Sequence, residues 1–280
     1  MSPAPRTPRP RRYDPAKVRA ALDGQVRVVC EAVDALCAAP DAPAVLDAPT
    51  RLGEWTVRDL VVHLAGALEL LPRRLAEAAA DATPQHAGIT LIDYVSNLSS
   101  RAGEVARATS AGAAALASAQ PSAVAGRLRE AARKLADAVG GTSPETVVRT
   151  SFGAMTVADF LVTRLVETVV HADDLAHATG TAVRHDRQAL AAVTRLLADT
   201  LAAKAPGGSV EVRIPPFAVV QCVAGPRHTR GTPPNVVETD PLTWIRLATG
   251  RLSWDVALED AAVSASGERA DISDQLPLLS

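Results

Sequence analysis

Up to about residue 206, the chain places its hydrophobic residues at the three- and four-residue spacing of amphipathic helices. The first such segment follows Asp14 and Pro15, which suit the N-cap and the first position of a helix. The later segments are "VRDLVVHLAGALELL", a less regular one over 91–108, "PSAVAGRLREAARKLADAV", "TVADFLVTRLVETVVHADDLAHA" and "DRQALAAVTRLLADTLAAKA". We therefore predict an all-α bundle over residues 13–206, with a Pro-rich connector over 40–55.

Two of these helices begin with the same pattern. Thr56 and Asp59 open one, and Thr156 and Asp159 open the other, at the spacing of a capping box. Within the first of them, Pro72 is expected to kink or end the helix, because proline cannot donate the backbone hydrogen bond that continues it. The second helix is predicted to run to about Ala178, with Gly180 as the residue that ends it.

The pattern changes after Pro206. "GSVEVRI" alternates as a half-buried strand does, and "FAVVQCVAG", "NVVETD" and "AAVSASGE" are also typical of strands. "DPLTWIRLATGRL" is predicted to be a helix, and the tail from Asp271 is expected to form a final one. Residues 207–280 are therefore predicted to form a small α+β domain.

Composition and charge narrow the function classes. Aromatic residues make up only 3% of the chain against 48% hydrophobic residues, so helices packed through small side chains are expected. The net charge of −2 lacks the basic excess of nucleic-acid-binding proteins, and no apolar run reaches membrane-spanning length. We expect neither a nucleic-acid partner nor a membrane span.

The ends of the chain and its cysteines suggest a compartment. Residues 1–12 are rich in proline and arginine without an apolar core, so they are predicted to be a disordered tail rather than a secretory signal. Cys30 and Cys37 lie too far apart on one predicted helix to form a disulfide, and Cys222 leaves an odd number. Reduced thiols in a cytoplasmic protein are expected.

The candidate chemistry lies in "LVETVVHADDLAHATG", residues 165–180. Glu167 and His171 are four residues apart and point to the same side of a helix. His63 lies on the other capped helix, and antiparallel packing would bring it opposite this pair. Two imidazoles and one carboxylate are a ligand set for zinc or another divalent transition metal. An ionised Glu167 among valines also needs a strong partner.

Other interpretations of these residues stay open. A single histidine such as His63 on an apolar helix is more often a core residue with one hydrogen bond, and Glu167 with His171 is also a common helix-stabilising pair. Either Asp173 or Asp174 would suit a role in orienting a ligand imidazole. Alternatively, Asp174 bonds to nearby backbone or to an arginine.

These motifs resemble a known family. "EWTVRDLVVHLAG" resembles the N-terminal signature of the mycothiol-dependent maleylpyruvate isomerase family, which is part of the DinB-like superfamily of metal-binding four-helix bundles. "LVETVVHADDLAHATG" resembles the second metal motif of that family, and "TDPLTWIRLATGRLSWDVAL" resembles the sterol-carrier-like domain that follows the bundle. The resemblance covers most of the chain from about Asp14, and implies a DinB-like bundle followed by a sterol-carrier-like α+β domain.

The resemblance also implies an activity. It assigns His63, Glu167 and His171 to a divalent metal, most often zinc, and mycothiol as a low-molecular-weight thiol cofactor. The metal would bind the sulfur as thiolate, which would attack a small electrophilic substrate. Conjugate addition would make the protein an isomerase, and displacement would make it a transferase.

Two arginines are candidates for the reaction itself. Arg246 and Arg251, on or just past the predicted helix "DPLTWIRLATGRL", would hold a substrate carboxylate in a bidentate grip. The alternative is that both are surface arginines that pack over Trp244 and Trp254.

Two hypotheses compete with the enzyme. The first is a non-catalytic carrier of an apolar or lipid-like ligand, suggested by the apolar "FAVVQCVAG" beside "WIRLATGRL". The second is a purely structural bundle in which His63, Glu167 and His171 form a hydrogen-bonded network.

Overall fold

The computed structural model describes residues 11–80, 86–225 and 233–279. It divides into a helical unit, Asp14–Ala189, and a second unit that consists of Leu190–Ser280 and the residues before Asp14. Most of the predicted tail, 1–12, lies outside the described residues. At its end, the Arg11 guanidinium forms an ion pair with Asp199 at 2.9 Å within the second unit.

The helical unit contains seven helices and one β-hairpin in its described part. In chain order they are α1 (Pro15–Ala38), α2 (Ala42–Leu46), α3 (Val57–Ala80), α4 (Leu91–Asn97), α5 (Ala102–Ala114), α6 (Pro121–Gly140), β1 (Val147–Thr150), β2 (Gly153–Thr156) and α7 (Val157–Thr179). The predominance of helix confirms the predicted fold class. The antiparallel β1–β2 hairpin, in which Val147 pairs with Thr156, was not predicted.

Side-chain caps fix where the long helices start. Asp14 accepts hydrogen bonds from the backbone of α1. At the start of α3, the Thr56 N–H donates to Asp59 at 2.8 Å and the Asp59 N–H donates to the Thr56 hydroxyl at 3.3 Å. The Thr156 hydroxyl accepts from the Asp159 N–H at 3.2 Å at the start of α7. The predicted helix starts are confirmed.

Some predicted helix boundaries differ in the structure. Pro72 does not end α3, which continues through it to Ala80. Burial of the apolar face before the proline, including Leu68 and Leu71, compensates for the missing hydrogen bond. The helix expected over 91–108 is instead α4, a 3₁₀ turn and α5, and the connector over 40–55 contains α2.

Four long helices form the core of the helical unit. α1 packs against α6 and α7, and α3 packs against the same two helices. Each contributes fully buried aliphatic side chains, such as Val33, Leu64, Leu128 and Leu165. α5 covers α3 so closely that a Cβ added at Gly112 would lie 3.0 Å from Val62 Cγ1.

The second unit carries a four-stranded sheet. Its elements are α8 (Arg187–Lys204), β3 (Val210–Ile214), β4 (Ala218–Cys222), β5 (Val236–Thr239), α9 (Pro241–Ala248), α10 (Trp254–Glu259) and β6 (Val263–Ser266). The strand order is β4-β3-β5-β6, with β3 and β5 parallel and both outer pairs antiparallel. The predicted strands and α9 are present. The tail from Asp271 forms only a 3₁₀ turn, Ser273–Gln275, so the prediction of a final helix was wrong. Pro277 lies just after this turn and cannot donate the hydrogen bond that would continue it.

The two units divide earlier than the boundary expected at residue 206. All but the first residues of α8 belong to the second unit. Its side chains bond to that unit, since the Arg195 Nε donates to the Phe217 carbonyl at 3.0 Å and the Lys204 ammonium donates to the Gln275 carbonyl at 2.8 Å.

Across the described ranges of the chain, none of the helices combines the length and apolar character needed to cross a bilayer.

Candidate metal centre

Two neighbouring helices of the bundle carry the candidate ligands. His63 lies on α3, while Glu167 and His171 lie one turn apart on α7, and these two helices pack together. α7 is buried along most of its length, so its polar residues face protein rather than water.

The structure brings the three side chains to one point. Glu167 Oε2 lies 3.1 Å from His63 Nε2 and 3.4 Å from His171 Nε2. One ligand atom from each residue lies within 4.8 Å of the other two. The two imidazole rings meet edge to face, with centroids 4.6 Å apart. Both histidines therefore direct the same nitrogen at the shared carboxylate.

The other ring nitrogens have partners of their own. Asp174 Oδ2 lies 2.8 Å from His171 Nδ1, and the Thr109 hydroxyl on α5 lies 3.3 Å from His63 Nδ1. A carboxylate can only accept, so the His171 Nδ1–H donates to Asp174, and Nε2 is the ring nitrogen that faces Glu167. This is the arrangement that a histidine needs to bind a metal through Nε2.

A single arginine, Arg51, binds the carboxylate that contacts His171. Arg51 donates through Nε to Asp174 Oδ1 at 2.6 Å and through Nη2 to Asp173 Oδ2 at 2.5 Å. The sequence left two roles open for Asp174, orienting an imidazole or pairing with an arginine. Asp174 has both roles, one through each carboxylate oxygen.

The electrostatics favour a cation at the centre. Burial raises the pKa of Glu167, but the hydrogen bonds from His171 and His63 and the charge of Arg164 outweigh it and hold the pKa well below its usual range. Burial lowers the pKa of His63 more than Glu167 raises it. For His171, burial lowers the pKa, but Asp174 and Glu167 raise it overall. Glu167 is therefore ionised beside two nitrogen donors.

Arg164, one turn before Glu167 on α7, is another charge at the site. Its guanidinium is almost fully buried and lies 3.9 Å from Glu167 Oε1. It donates to the Ala67 carbonyl at 3.2 Å and stacks over the Phe160 ring at 4.8 Å. Arg164 therefore places a positive charge beside Glu167 Oε1, whereas both histidines face Glu167 Oε2.

The donor set fits a divalent transition metal. Zinc binds imidazole nitrogen and carboxylate oxygen at about 2.0–2.2 Å, which places tetrahedral ligand atoms roughly 3.3 Å apart. The 3.1 and 3.4 Å separations between Glu167 and the two histidines agree with that spacing. The three ligand atoms together lie within 4.8 Å, so binding an ion draws the widest pair closer. Three protein ligands also leave a coordination position for another molecule. In the part of the chain that the structure describes, this is the one group of three or more such side chains close enough to share an ion.

Sequence reasoning missed four residues of this site. Arg164 could have been found, because it lies three residues before Glu167 on the same helix. Trp55, whose ring centroid lies 4.9 Å from that of His63, belongs to the motif already singled out. Arg51 and Thr109 come from segments whose approach the sequence does not reveal.

The other candidate residues belong to the second unit. Arg246 is on α9, and Arg251 follows that helix and donates to the Thr249 carbonyl at 2.8 Å. Their role in holding a substrate stays a prediction. All three cysteines are free, and burial raises the pKa of both Cys30 and Cys222 to about 11, which does not suit a thiolate nucleophile.

Comparisons with known proteins agree with these features. The family model for the mycothiol maleylpyruvate isomerase N-terminal domain matches residues 26–176, and the bacterial SCP ortholog model matches residues 186–278. No curated protein matches the chain.

Two solved structures share the fold. A crystal structure of the mycothiol-dependent maleylpyruvate isomerase is 18% identical with a TM-score of 0.59, covering 91% of this chain and 94% of its own. A structure of a histidine-to-alanine variant of that isomerase is 17% identical with a TM-score of 0.56, covering 92% of each chain. At this identity the likeness establishes the fold alone. Because the first family model spans more than half of the sequence, the chain belongs to the family of the mycothiol maleylpyruvate isomerase N-terminal domain.

Proposed function

We propose that this protein is a divalent-metal-dependent enzyme that uses mycothiol, a low-molecular-weight thiol, to isomerise a small electrophilic substrate. The observation that carries the proposal is the convergence of His63, Glu167 and His171, whose ligand atoms lie within 4.8 Å of one another. Zinc is the proposed metal, since two imidazoles and a carboxylate with an open position are typical of catalytic zinc sites.

The charges around the centre support an anionic ligand in the open position. Glu167, Asp173 and Asp174 supply three carboxylates, and Arg51 and Arg164 supply two guanidinium groups, which leaves one net negative charge. A divalent cation changes this to one net positive charge. A single monoanion then neutralises the site, and a thiolate is such a group.

The residues have distinct parts in this proposal. A bound divalent cation would lower the pKa of a coordinated thiol so that its sulfur is present as the thiolate. Asp174 holds the His171 ring in the tautomer that leaves Nε2 free to bind. Glu167 supplies the negative charge that attracts the cation, and Arg164 balances part of that charge.

Support for mycothiol comes from family membership and from the titles of the two similar structures, both of a mycothiol-dependent maleylpyruvate isomerase. We propose a related 2-oxo or unsaturated acid as the substrate class, with Arg246 and Arg251 holding its carboxylate as the sequence predicts. A cytoplasmic location is part of the proposal, because it would supply the thiol and keep the free cysteines reduced.

Metal analysis is the first test. Wild-type protein purified without chelators should contain about one zinc per chain, and His63→Ala should contain below roughly a tenth of that amount. His177→Ala is the matched control, since His177 lies in the last turn of α7, is exposed, and should leave the metal content unchanged. If His63→Ala and His171→Ala lower stability without changing metal content, the purely structural bundle is correct instead.

The thiol dependence is the second test. An isomerase returns its thiol whereas a transferase consumes it, so the two are separated by giving the enzyme much less mycothiol than substrate. Turnover of maleylpyruvate beyond the amount of thiol supports the isomerase. Turnover that stops when the thiol is used up supports the transferase, and metal without thiol-dependent turnover of any substrate contradicts the proposal.

A carrier function remains the second candidate, through the C-terminal unit. Its basis is the match to the bacterial SCP ortholog model and a groove of about 400 Å³ beside Phe217 and Val219. Val219 on β4 is 61% exposed, so the strand presents apolar surface there. Extraction and mass spectrometry of the purified protein should recover a lipid if this function is correct. A protein without bound lipid and without affinity for a fluorescent fatty acid excludes it.

A further inference from the structure

The loop before α3 is closed by its own hydrogen bonds. The Thr50 N–H and hydroxyl both donate to the Trp55 carbonyl at 2.8 Å, and Pro49 forms an isolated bridge with Thr56. Gly53 has a φ of +63°, a conformation that other residues rarely adopt, and so allows the tight return. Arg51 projects from a rigid loop rather than from a loose connector.

This loop reaches both candidate histidines. Trp55 packs beside the His63 ring at 4.9 Å. From the same loop, Arg51 extends to α7 and pairs with Asp173 and Asp174, whose side chains are 5% and 0% exposed. One short segment therefore contacts the surroundings of His63 directly and those of His171 through a carboxylate.

The pairing with Asp174 has a specific chemical consequence. The two oxygens of the Asp174 carboxylate contact different groups, so a group that fixes one oxygen also fixes the direction of the other. With Arg51 bound to Oδ1, Oδ2 lies 2.8 Å from His171 Nδ1 and orients the ring so that Nε2 faces Glu167. The contacts from Arg51 through Asp174 to the His171 ring are continuous.

We propose that Arg51 is a positioning residue of the metal centre, which fixes the ring orientation and tautomer of His171 through Asp174. This inference rests on the proposed metal-binding function. It extends that function by naming Arg51 as the residue that orients the candidate ligand His171 through Asp174. It concerns the protein's own hydrogen bonds and does not depend on the identity of the substrate.

The guanidinium is matched to this task in a way that an ammonium is not. Its Nε and Nη2 each meet a different carboxylate, so two adjacent acids on α7 are held by one planar group. Lysine would keep the charge but lose the second fixed donor direction. A graded response to substitution at residue 51 is therefore expected, glutamine being more harmful than lysine.

The test compares zinc affinity in four proteins by competition with a chromophoric chelator, together with the cobalt absorption spectrum. These are wild type, Arg51→Gln, Arg51→Lys and the control Arg127→Gln. Arg127 forms a bidentate pair with Glu69 between α6 and α3, and this pair has no contact with the three candidate ligands among those described. Losing a partner behind a metal ligand typically weakens metal binding by about 10- to 100-fold.

Arg51→Gln should weaken zinc binding by at least roughly tenfold and shift the cobalt d–d bands, with Arg51→Lys intermediate. Arg127→Gln should bind both metals as wild type does. Thermal unfolding of each apoprotein separates lost affinity from lost folding, and if Arg51→Gln does not fold, Arg51→Lys decides by the same criteria.

The outcomes separate this inference from the proposed function. Wild type that binds zinc while the folded Arg51 variants keep its affinity and cobalt spectrum overturns the positioning role alone. Wild type without zinc affinity overturns the metal centre and the positioning role together. Equal weakening in Arg51→Gln and Arg127→Gln shows a general effect of stability and also overturns the positioning role.

Discussion

The two compact units of the chain bury different kinds of groups. In the helical unit, α7 and its neighbours bury charged and histidine side chains, namely Arg58, Arg164, His171, Asp173 and Asp174. In the described part of the second unit, the buried polar side chains are uncharged, and large apolar residues such as Trp244 fill the core. Burying charge is costly unless each group is paired. Four of these five residues lie on α7 around the candidate centre, which indicates a functional requirement.

The contrast predicts that substitutions in the two units will have separable effects. A change in the apolar core of the second unit should reduce stability and leave metal affinity alone. A change among the buried charges of α7 should reduce metal affinity beyond its effect on folding.

The largest expected effect on stability is at Trp244. Its side chain is fully buried on α9, so Trp244→Ala should lower the free energy of unfolding by about 3–5 kcal/mol. Urea denaturation followed by circular dichroism measures this change. The zinc bound per folded chain should match wild type, and a parallel loss of zinc would erase the distinction between the two units.

The largest expected effect at the site, short of removing a ligand, is at Asp174. Asp174→Asn keeps the shape but replaces the carboxylate that accepts from His171 Nδ1, so zinc affinity should fall by about 10- to 100-fold. Chelator competition measures this. Asp186→Asn is a useful control, because the Asp186 carboxylate caps the start of α8 by accepting from the Gln188 and Ala189 N–H groups. Equal zinc affinity in wild type and Asp174→Asn would show that Asp174 is only a structural partner of Arg51.

Two helical glycines test how tightly the bundle is packed around the site. Gly112→Ala should destabilise the protein, because its Cβ would lie 3.0 Å from Val62 Cγ1, where α5 covers α3. Gly66→Ala on α3 meets nothing within 4 Å and should stabilise the protein by about 0.5–1 kcal/mol through helix propensity. Thermal unfolding of the pair should therefore give shifts of opposite sign, and shifts of the same sign would contradict the packing described for α5.

The smallest expected effect comes from a partly exposed charge cluster in the helical unit, where the Glu69 side chain is 15% exposed. Burial raises the pKa of Glu69, but hydrogen bonds from Arg127 and Lys134 lower it overall. A lowered carboxyl pKa contributes stability at neutral pH that is lost as the pH falls through the folded-state value, below 4.5.

Glu69→Gln should therefore cost less than about 1 kcal/mol at pH 7, and the difference from wild type should shrink on acidification below pH 4.5. Denaturation at a series of pH values measures it. A difference that grows on acidification would reverse the sign of the linkage.

Much of the fold could be predicted from local patterns. Helix starts were predicted well, because Asp14, Thr56 and Thr156 act on their own next residues. Most helix ends were predicted as well, since α6, α7 and α8 end within one residue of the predicted segments. The continuation of α3 through Pro72 was not predicted, because it depends on burial against other helices. The β1–β2 hairpin and α2 are short elements whose formation depends on the helices they join.

The candidate site divides in the same way. Glu167 and His171 are paired by helix periodicity, whereas His63 was joined to them by assuming antiparallel packing and by the family resemblance. Arg51 reaches Asp174 across 123 positions of sequence, and Thr109 reaches His63 across 46. No local sequence pattern predicts those contacts. The residues that contact the candidate ligands or their carboxylate partner could therefore be identified only from the structure.

Anomalous diffraction at the zinc edge, from crystals of the protein grown with zinc, tests the central claim most directly. The account predicts a single strong peak about 2.0–2.2 Å from His63 Nε2, His171 Nε2 and a Glu167 carboxylate oxygen. A crystal with no peak at this point, or with zinc held only by other residues, would contradict it.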